Sequence, residues 1–412
     1  MLQGPLSPLF RQMADALEVR GVAVTRVNIC PGDKAAWGLK RARSFRGRLR
    51  DFPDYVDRLM DEIGADAVVM HSERRPYHLE AAEVARSRGA AVIVTELGYL
   101  RPDFMTIELN GNSVDSLFPI DPHALRTLGH APELAEGLVY PREAGLETFD
   151  DLKNSLPNVF LWFLYPHYRQ HGLYHPFVAY ARFLWREAQV GRRNRAAAAV
   201  RARVSRPFVF AMQTDTDFQI RSNAHYADMR EALIEVFSSF AAHAPADAVL
   251  VVKKHPGDLG PVHWADEVPR LAADAGVAER VAFADGLGMD AWMADARGLI
   301  TVNSSAGVDG LAAGVPVISL APSIYDAPGL TFQGPLDRFW TEGTAPDAAL
   351  FSAWRRGLAA AIQVRGTIYS RAGTRAAAEA MAERIATGSV GVPGATAMPP
   401  PRYEKARALG IR

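Results

Sequence analysis

Apolar and amphipathic stretches alternate along the first part of the chain. The apolar spacing predicts three helices, over residues 9–20, 55–64 and 79–88. Short apolar segments predict three strands, over residues 22–29, 67–70 and 91–95. Strands that alternate with helices are typical of a parallel, doubly wound sheet, so we expect a Rossmann-like α/β fold here.

The same alternation starts again after an aromatic-rich, less regular middle that covers residues 110–200. The predicted strands of this later part cover residues 207–212, 248–253, 281–284, 299–302 and 315–319. The predicted helices cover residues 226–242, 262–276 and 305–313, and residues 344–386 are predicted to be mostly helical. The pattern therefore predicts a second Rossmann-like fold.

The chain has 412 residues, which is enough for two domains. We expect an N-terminal Rossmann-like acceptor domain with a helical insert over residues 1–200 and a C-terminal nucleotide-sugar domain over residues 201–387. The tail over residues 388–412 is rich in Gly, Ala and Pro, and this composition predicts disorder.

Composition excludes several classes of protein. Lys and Arg total 46, as do Asp and Glu, so the formal net charge is zero and nucleic-acid binding is not expected. The single cysteine, Cys30, can form no internal disulfide and suits a reducing compartment. The N-terminus lacks the features of a signal peptide, and no stretch is apolar enough to span a bilayer, so we expect a cytoplasmic protein.

Four turn-rich or polar loops follow predicted strands in the first half. In a doubly wound sheet such loops open on one edge, where ligands bind. The candidate ligand-contacting residues on these loops are Gly4, Pro5, Asp33, Arg75, Tyr77, His78, Glu96, Tyr99 and Arg101. Any one of these loops could be an ordinary surface turn, but together they favour a binding surface.

The segment from Thr301 to Gly307 runs from a predicted strand into small polar residues and then into a helix. Asn303, Ser304 and Ser305 offer donors to a phosphate, and Gly307 leaves room for its approach. The alternative is that Ser304 simply caps the helix, which serine often does.

Two lysines, a histidine and a proline end another apolar strand, at Lys253 to Pro256. Lys254 and His255 could contact a phosphate, and His255 could also protonate a leaving group, while Pro256 fixes the turn. The alternative is a structural histidine. The phosphate interpretation is favoured because the polar helix start follows two strands later.

Two aspartates, Asp215 and Asp217, follow the first strand of the second half. A carboxylate at such a strand end could act as base or nucleophile toward a sugar. The alternatives are a capping turn or a metal site, but two aspartates without further ligands give little support to a metal. We therefore expect neither a metal nor a bound cofactor.

These motifs, taken in order, resemble the capsule polysaccharide biosynthesis family of the KpsS/LipB type. The resemblance is carried by the segments LQGPLSPLF, RVNICPGD, RRPYH, ELGYLRPD, QTDTDFQI, KKHPGD, NSSAGVDGLAAGVPVI and IYDAPGLT. It implies a GT-B fold, in which two Rossmann-like domains face each other across a cleft. It also implies transfer of the sugar Kdo from CMP-Kdo to a glycerophospholipid such as phosphatidylglycerol, which starts the β-Kdo linker of an exported capsule, and contacts with other capsule assembly proteins.

The family pattern places the catalytic carboxylate at Asp217, with Asp215 beside it, the HP motif at His255 and Pro256, and the phosphate contact at Asn303 to Ser305. The implied reaction retains configuration, and Glu96 is the candidate base for the acceptor hydroxyl. The chain departs from the family at Leu97 and Phe218. Two other functions stay open: a GT-B transferase with a UDP-sugar or CDP-alcohol donor, and a non-catalytic export factor.

Two basic runs, over residues 40–50 and 192–206, could hold the chain on an anionic membrane surface. We therefore expect a cytoplasmic protein that associates peripherally with the inner face of the membrane. The alternative is that both runs are ordinary solvated helix faces.

Overall fold

The computed structural model describes residues 1–38, 42–134, 137, 139–170, 176–214 and 218–411, with the backbone alone for residues 176, 177, 179, 218, 219 and 221. Its strands are β1 Val27–Asn28, β2 Arg43–Ser44, β3 Ala67–His71, β4 Ala91–Leu97, β5 Phe104–Leu109, β6 Phe208–Ala211, β7 Leu250–Lys253, β8 Val281–Ala284, β9 Gly298–Thr301, β10 Val317–Ser319 and β11 Gln363–Arg365. Its helices are α1 Leu9–Val19, α2 Pro31–Trp37, α3 Phe52–Ile63, α4 Pro76–Ser87, α5 Pro122–Leu128, α6 Leu146–Phe160, α7 Pro176–Ala188, α8 Val190–Arg201, α9 Phe218–Asn223, α10 Met229–His243, α11 Trp264–Asp274, α12 Met289–Met293, α13 Ala306–Ala312, α14 Leu336–Glu342, α15 Ala348–Ile362, α16 Arg371–Ala386 and α17 Tyr403–Ala408. Within these ranges no helix is both long and apolar enough to cross a membrane.

The chain forms two compact units. The first unit contains Met1–Pro119, Leu128–His171 and Arg355–Pro401, and the second contains Ile120–Thr127, Gly172–Trp354 and Arg402–Arg412. Each unit has its own sheet with helices packed against it, so the predicted α/β class is confirmed.

The main sheet of the first unit has the order β11-β5-β4-β3. Residues 1–3 run beside β3 in the same direction, since Leu2 N donates to Val69 O (2.9 Å) and His71 N donates to Gln3 O (3.2 Å). On their other side, Val27 N at the start of β1 donates to Met1 O (3.0 Å). The ends of residues 1–3 and of β3 therefore lie close together at one edge, as the loop pattern predicts.

The sheet of the first unit is mixed, whereas the sequence pattern predicts a parallel one. Strand β4 pairs antiparallel with β5, and β5 pairs antiparallel with β11. The turn between β4 and β5 passes through Gly98, where a Cβ atom would lie 2.1 Å from the carbonyl oxygen of Phe104. The glycine therefore permits a close return of the chain that replaces a helical crossover.

The C-terminal boundary predicted for the second domain is wrong. Strand β11 and helix α16 belong to the first unit, where Gln363 pairs with Thr106 and α16 packs along α1. Small and apolar side chains, including Ala377, Ala378 and Met381, make this contact in the core of the first unit. The alanine-rich face of α16 allows the close approach of α1.

The sheet of the second unit is parallel throughout, with the order β10-β9-β6-β7-β8. Its first strand along the chain, β6, lies at the centre. The chain then builds outward on one side through β7 and β8 and afterwards on the other side through β9 and β10. This is the order of a doubly wound nucleotide-binding sheet, and β6 and β9 flank its switch point.

The C-terminal tail is folded, whereas its composition predicts disorder. The side chain of Arg402 is buried and donates to the carbonyl oxygens of Ser323 (2.8 Å) and Ile324 (2.9 Å). Lys405, on α17, donates to Ser319 O (2.8 Å) and to the Asp326 carboxylate (2.5 Å). Specific bonds from two cations thus order a segment that has few large apolar residues.

We predict that Arg402→Ala destabilises the second unit, because the carbonyl oxygens of Ser323 and Ile324 lose a charged donor and keep only longer bonds, from Asp326 N (3.2 Å) and Trp354 Nε1 (3.4 Å). The expected loss is about 2–3 kcal/mol in the free energy of unfolding, measured from denaturant titrations. The matched control is Arg407→Ala on α17, the helix that follows Arg402, since Arg407 is exposed. Equal stability of the two variants would show that the tail does not stabilise the unit.

Candidate functional site

The carboxyl ends of β6, β7 and β9 form one edge of the second sheet. In doubly wound folds, ligands bind outside this edge at the switch point, because neighbouring loops there turn in opposite directions. The sequence-predicted segments at Lys254 to Pro256 and at Asn303 to Ser305 follow β7 and β9 directly. The structure therefore places both motifs at the edge where a nucleotide site is expected.

Gln213 and Asn303 bridge the switch point. Gln213 Nε2 donates to Asn303 Oδ1 (2.9 Å), and Asn303 N donates to Gln213 Oε1 (3.1 Å). Asn303 Nδ2 also donates to the carbonyl oxygen of Asn223 (3.2 Å). Both side chains are buried, so the amide of Asn303 holds three loops together rather than projecting donors toward solvent.

Ser304 and Gly307 both have roles inside the protein. Ser304 Oγ accepts from the amide of Ala306 (3.2 Å), the first residue of α13, so Ser304 supports the helix start from the position before the N-cap residue Ser305. The Ser304 carbonyl accepts from the hydroxyl of buried Tyr325 (2.6 Å). A Cβ atom at Gly307 would lie 2.2 Å from the Tyr325 ring, so the glycine is required by this packing. Ser305 is half-buried.

His255 is held in one tautomer by its own turn. The amide of Gly257 donates to His255 Nδ1 (3.1 Å), so the neutral ring carries its proton on Nε2. Lys254 is paired with Asp258, whose carboxylate lies 3.3 Å from Nζ and also accepts from the indole of Trp264 (3.0 Å).

Arg186, on α7, also stabilises the turn at His255 and Pro256. Its guanidinium donates to both oxygens of Asp285 (3.1 Å each) and to the carbonyl oxygen of Pro256 (3.2 Å). Burial alone would raise the pKa of Asp285, but Arg186 and the further cations Lys254 and Arg193 hold it below its ordinary value. Sequence reasoning missed this contact, because the arginines around α8 look like an unspecific basic run.

The first unit has an open pocket at the edge that the loop pattern predicts. Gly4, Pro5 and Asp33 line it, as do Gln3 and Asn158. Gln3 is central, since its Nε2 donates to Asp33 Oδ1 (2.9 Å) and its Oε1 accepts from Arg75 (2.9 Å). Arg75 also donates to the carbonyl oxygen of Gly4 (3.1 Å). Gln3 stands in the first quoted segment, but nothing in the sequence marks it as the link between these residues.

The Asp33 carboxylate stabilises the start of α2 through hydrogen bonds from the backbone. Its Oδ2 accepts from the amides of Ile29 (2.9 Å) and Cys30 (3.2 Å), which lie just before the helix. Burial raises its pKa, and the hydrogen bonds from Ile29 and Gln3 oppose this rise. Asp33 therefore shapes the pocket wall and orients Gln3.

Glu96 lies at the end of β4 beside His71, with 3.6 Å between the carboxylate and His71 Nε2. Burial raises the pKa of Glu96, and the amide of Leu97 and the charge of Arg75 oppose the rise. Burial lowers the pKa of His71 well below its ordinary value, so this ring is neutral at pH 7. A carboxylate with a raised pKa beside a neutral imidazole is suited to accept a proton.

Two predicted ligand contacts in the first unit are wrong. Tyr77 is buried among Phe52, Phe45 and Tyr168, and its hydroxyl contacts the backbone of His167 and Arg169. His78 is fully buried, with Nδ1 2.8 Å from the carbonyl oxygen of Ser72.

Two further predicted contacts lie away from the pocket. Tyr99 and Arg101 do not line it; Tyr99 is half-buried and Arg101 is exposed, with Nε bonded to Gly98 O (3.3 Å).

The candidate nucleophiles Asp215 and Asp217 lie outside the described residues, so their role stays a prediction. Among the residues that are described, no group of three or more His, Cys, Asp or Glu side chains is arranged to hold a metal ion. The metal-free reaction also stays a prediction, because Asp215 and Asp217 lie outside the residues that were searched for a metal site.

Comparison with known proteins identifies the family. Residues 66–369 match the family model described as "Capsule polysaccharide biosynthesis protein". The chain belongs to this family. The matched residues include β4 with Glu96, the turn at His255 and Pro256 (the HP turn) and the Asn303 to Ser305 loop.

Two relatives and two solved structures illustrate the range of likeness. The capsule polysaccharide export protein KpsS of Escherichia coli is 29% identical over 90% of this chain and 96% of its own length. The capsule polysaccharide modification protein LipB of Neisseria meningitidis serogroup A is 29% identical over 90% of this chain and 91% of its own. Among solved structures, the Thermosulfurimonas dismutans KpsC β-Kdo 2,7-transferase is 15% identical, with a TM-score of 0.43 over 86% of this chain and 94% of its own. The Staphylococcus aureus MnaA–UDP structure is 10% identical, with a TM-score of 0.30 over 94% of this chain and 95% of its own.

A buried charge cluster supports the loop that begins at Glu73. Arg74 is paired with Asp115, and its Nε lies 3.6 Å from the carboxylate of Glu73. The amide of Asn112 donates to Glu73 (3.4 Å). Burial raises the pKa of Glu73 to about 7, although the charge of Arg74 opposes this. The folded protein therefore keeps this carboxyl group protonated in mildly acidic solution.

This pKa predicts a pH-dependent stability. The unfolded chain loses the Glu73 proton near pH 4.5, whereas the folded chain loses it near pH 7, so folding becomes less favourable as the pH rises through this window. Glu73→Gln should therefore match wild type at pH 4.5 and exceed it by about 1–3 kcal/mol at pH 8. The measurement is the free energy of unfolding at both pH values, with exposed Glu83→Gln as control. A difference that is independent of pH would contradict the raised pKa.

Proposed function

We propose that this protein is a glycosyltransferase of capsule assembly that transfers Kdo from CMP-Kdo to a glycerophospholipid acceptor and retains the β configuration. The observation that carries the proposal is the family match over residues 66–369, within which the HP turn and the Asn303 to Ser305 loop follow β7 and β9 at the same edge of a sheet with a nucleotide-binding strand order. One solved neighbour is a β-Kdo transferase by name, but its likeness is too low to add weight.

The donor site of the proposal lies at the edge of the second sheet. His255 Nε2–H is a donor for the phosphate of CMP, and its turn is preorganised by Gly257 and Arg186. A CMP leaving group carries less charge than a nucleoside diphosphate. Protein donors alone can therefore support its departure, which agrees with a reaction that needs no metal.

The proposed chemistry proceeds in two displacements. The Asp217 carboxylate attacks the anomeric carbon of Kdo, and the bond from that carbon to the phosphate oxygen breaks, which releases CMP. The acceptor hydroxyl then attacks the same carbon, its proton passes to Glu96, and the bond to Asp217 breaks. Two inversions give net retention. The raised pKa of Glu96 favours its action as a base.

A second candidate function is non-catalytic capsule export, favoured by the word "export" in the name of the Escherichia coli relative. An export factor needs glycolipid binding but no donor hydrolysis or covalent sugar intermediate. Activity tests with CMP-Kdo therefore separate the two functions, and tests with other nucleotides separate CMP-Kdo from a UDP-sugar or CDP-alcohol donor.

We predict that His255→Ala weakens CMP binding by about tenfold to a hundredfold, because a hydrogen bond to a charged group is lost. Ser304→Ala should have a smaller effect, since its Oγ also serves the amide of Ala306. Calorimetry with CMP measures both, and exposed His130→Ala is the control. Thermal stabilisation of wild type by UDP but not by CMP would contradict the proposed donor.

We predict that Asp217→Asn abolishes transfer while CMP still binds, because the amide keeps the shape and loses the nucleophile. Asp215→Asn should cost less. The decisive measurement is the intact mass of wild type mixed with CMP-Kdo and no acceptor, where a Kdo adduct is expected on Asp217. Asp274→Asn, at an exposed position on α11, is the control.

Activity is then measured with a fluorescent phosphatidylglycerol-like acceptor, whose mass should increase by one sugar. Full transfer by Asp217→Asn, or an adduct on another residue, would overturn the catalytic assignment. Binding of the glycolipid without transfer by wild type would favour the export function.

A further inference from the structure

Helix α6 in the first unit is amphipathic, but it buries its polar face and exposes its apolar face. Its polar residues Asp150, Asn154 and Asn158 recur every four positions and face α2 and the pocket. Asn158 accepts from the amide of Gly32 (2.7 Å), and Asp150 and Asn154 are buried. A Cβ atom at Gly32 would lie 2.4 Å from the carbonyl of Asn154, so the two helices pack closely. The polar face is therefore the inner one.

The outer face of α6 is apolar apart from the exposed Lys153. Phe149, Leu156 and Phe160 follow helical spacing along it, and Phe149 and Phe160 are 62% and 64% exposed. The stripe continues past the helix end into Leu161, Trp162 and Phe163, of which Trp162 is 63% exposed. We name residues 160–163 the aromatic ridge. A soluble helix normally buries such a stripe, so this one requires a partner.

Arginines lie next to the aromatic ridge. Tyr165, just after it, donates to Ser44 Oγ (3.0 Å), and the guanidinium carbon of Arg46 lies 5.5 Å from the centre of the Tyr165 ring. Arg46 and Arg48 are exposed, as is Arg169, which follows the ridge along the chain. This basic segment is part of the run over residues 40–50, of which Lys40 and Arg41 lie outside the described residues.

The second basic run of the sequence differs from this one. Arg193 pairs with Asp285 (3.1 Å) and Arg201 pairs with Asp295 (2.5 Å). These two charges are compensated inside the second unit. Arg43 and Arg50 of the first run are paired as well, with Glu62 and Asp51, whereas Arg46 lies against the Tyr165 ring. Arg46 and the exposed Arg48 are therefore the better candidates for an external anion.

We propose that the aromatic ridge, with Arg46 and Arg48, docks the protein on the surface of an anionic lipid bilayer. Tryptophan and phenylalanine enter the boundary between headgroups and acyl chains, while arginines beside them bind lipid phosphates. A helix whose apolar face points outward can lie in the plane of this boundary. The inference does not depend on the proposed transfer reaction.

Charge favours a bilayer over a second copy of the chain. In a symmetric dimer the same patch meets itself, which would bring the arginines of both copies together without an acidic partner from the ridge. An anionic bilayer neutralises them instead. Dimerisation through the ridge is therefore treated as a contrary outcome of the test.

The test uses the full chain and co-sedimentation with vesicles, either of pure phosphatidylcholine or of phosphatidylcholine with phosphatidylglycerol. Wild type should bind the anionic vesicles. The triple variant F160S/W162S/F163S should bind about tenfold or more weakly, because the inserted apolar area is lost. R46Q/R48Q should weaken binding by about fivefold per arginine and only on anionic vesicles.

The matched control is V19S/I234S/M398S, which removes three exposed apolar side chains elsewhere and should bind like wild type. Because all substituted ridge residues are exposed, the thermal unfolding midpoints of the variants should stay the same. Transfer to a detergent-dispersed acceptor should also be kept in the triple variant, so loss of vesicle binding is distinguishable from loss of catalysis.

Wild-type binding by the triple variant, or no wild-type binding to anionic vesicles at low salt, would overturn the proposal. A wild-type dimer in light scattering that the triple variant abolishes would assign the ridge to self-association and overturn it as well.

Discussion

The reciprocal hydrogen bonds between Gln213 and Asn303 are the constraint on which the second unit's site depends. At a switch point, the loops after two adjacent strands turn away from each other and lose backbone partners. The two amides span this gap inside the protein, and each is buried. A buried amide that loses a partner costs about 1–3 kcal/mol, so the pair holds both loops in one arrangement. The position of Ser304, which directly follows Asn303, depends on this pair of bonds.

The sequence predicts strands and helices better than their partners. Apolar runs locate β3, β4 and β6 to β10 within a few residues, because burial of such runs is a local signal. The pairing of Gln363 with Thr106 joins distant parts of the chain, and periodicity contains no information about it. For the same reason, the sequence assigns α16 to the wrong unit. The tail shows a different limit, since composition reveals few apolar residues but not the carbonyls that Arg402 reaches.

In the candidate site, too, the sequence predicts where the motifs lie but not which residues they contact. The HP turn and the Asn303 to Ser305 loop are found from the sequence, because polar residues after a buried strand are a local pattern. Their contacts are not. The need for glycine at position 307 comes from the Tyr325 ring, and the burial of Tyr77 comes from its packing in an aromatic cluster. Both depend on residues that are distant in the sequence. Arg186 is hidden in the sequence because its partners, Asp285 and Pro256, lie on two other loops.

The arginines of the two basic runs show how neighbouring residues determine the role of a charged side chain. The chain is neutral overall, and its two basic runs look equivalent as sequence. In the structure, arginines of the second run meet the carboxylates of Asp285 and Asp295, so part of its charge is used to brace loops around the HP turn. In the first run Arg43 and Arg50 are paired as well, with Glu62 and Asp51, but Arg46 lies against the ring of Tyr165 beside an apolar surface. A cation beside exposed aromatic rings, unlike one beside a carboxylate, keeps its charge available to an external anion. The same residue type therefore braces a loop where a carboxylate packs beside it, as at Arg193, and stays exposed where an aromatic ring does, as at Arg46.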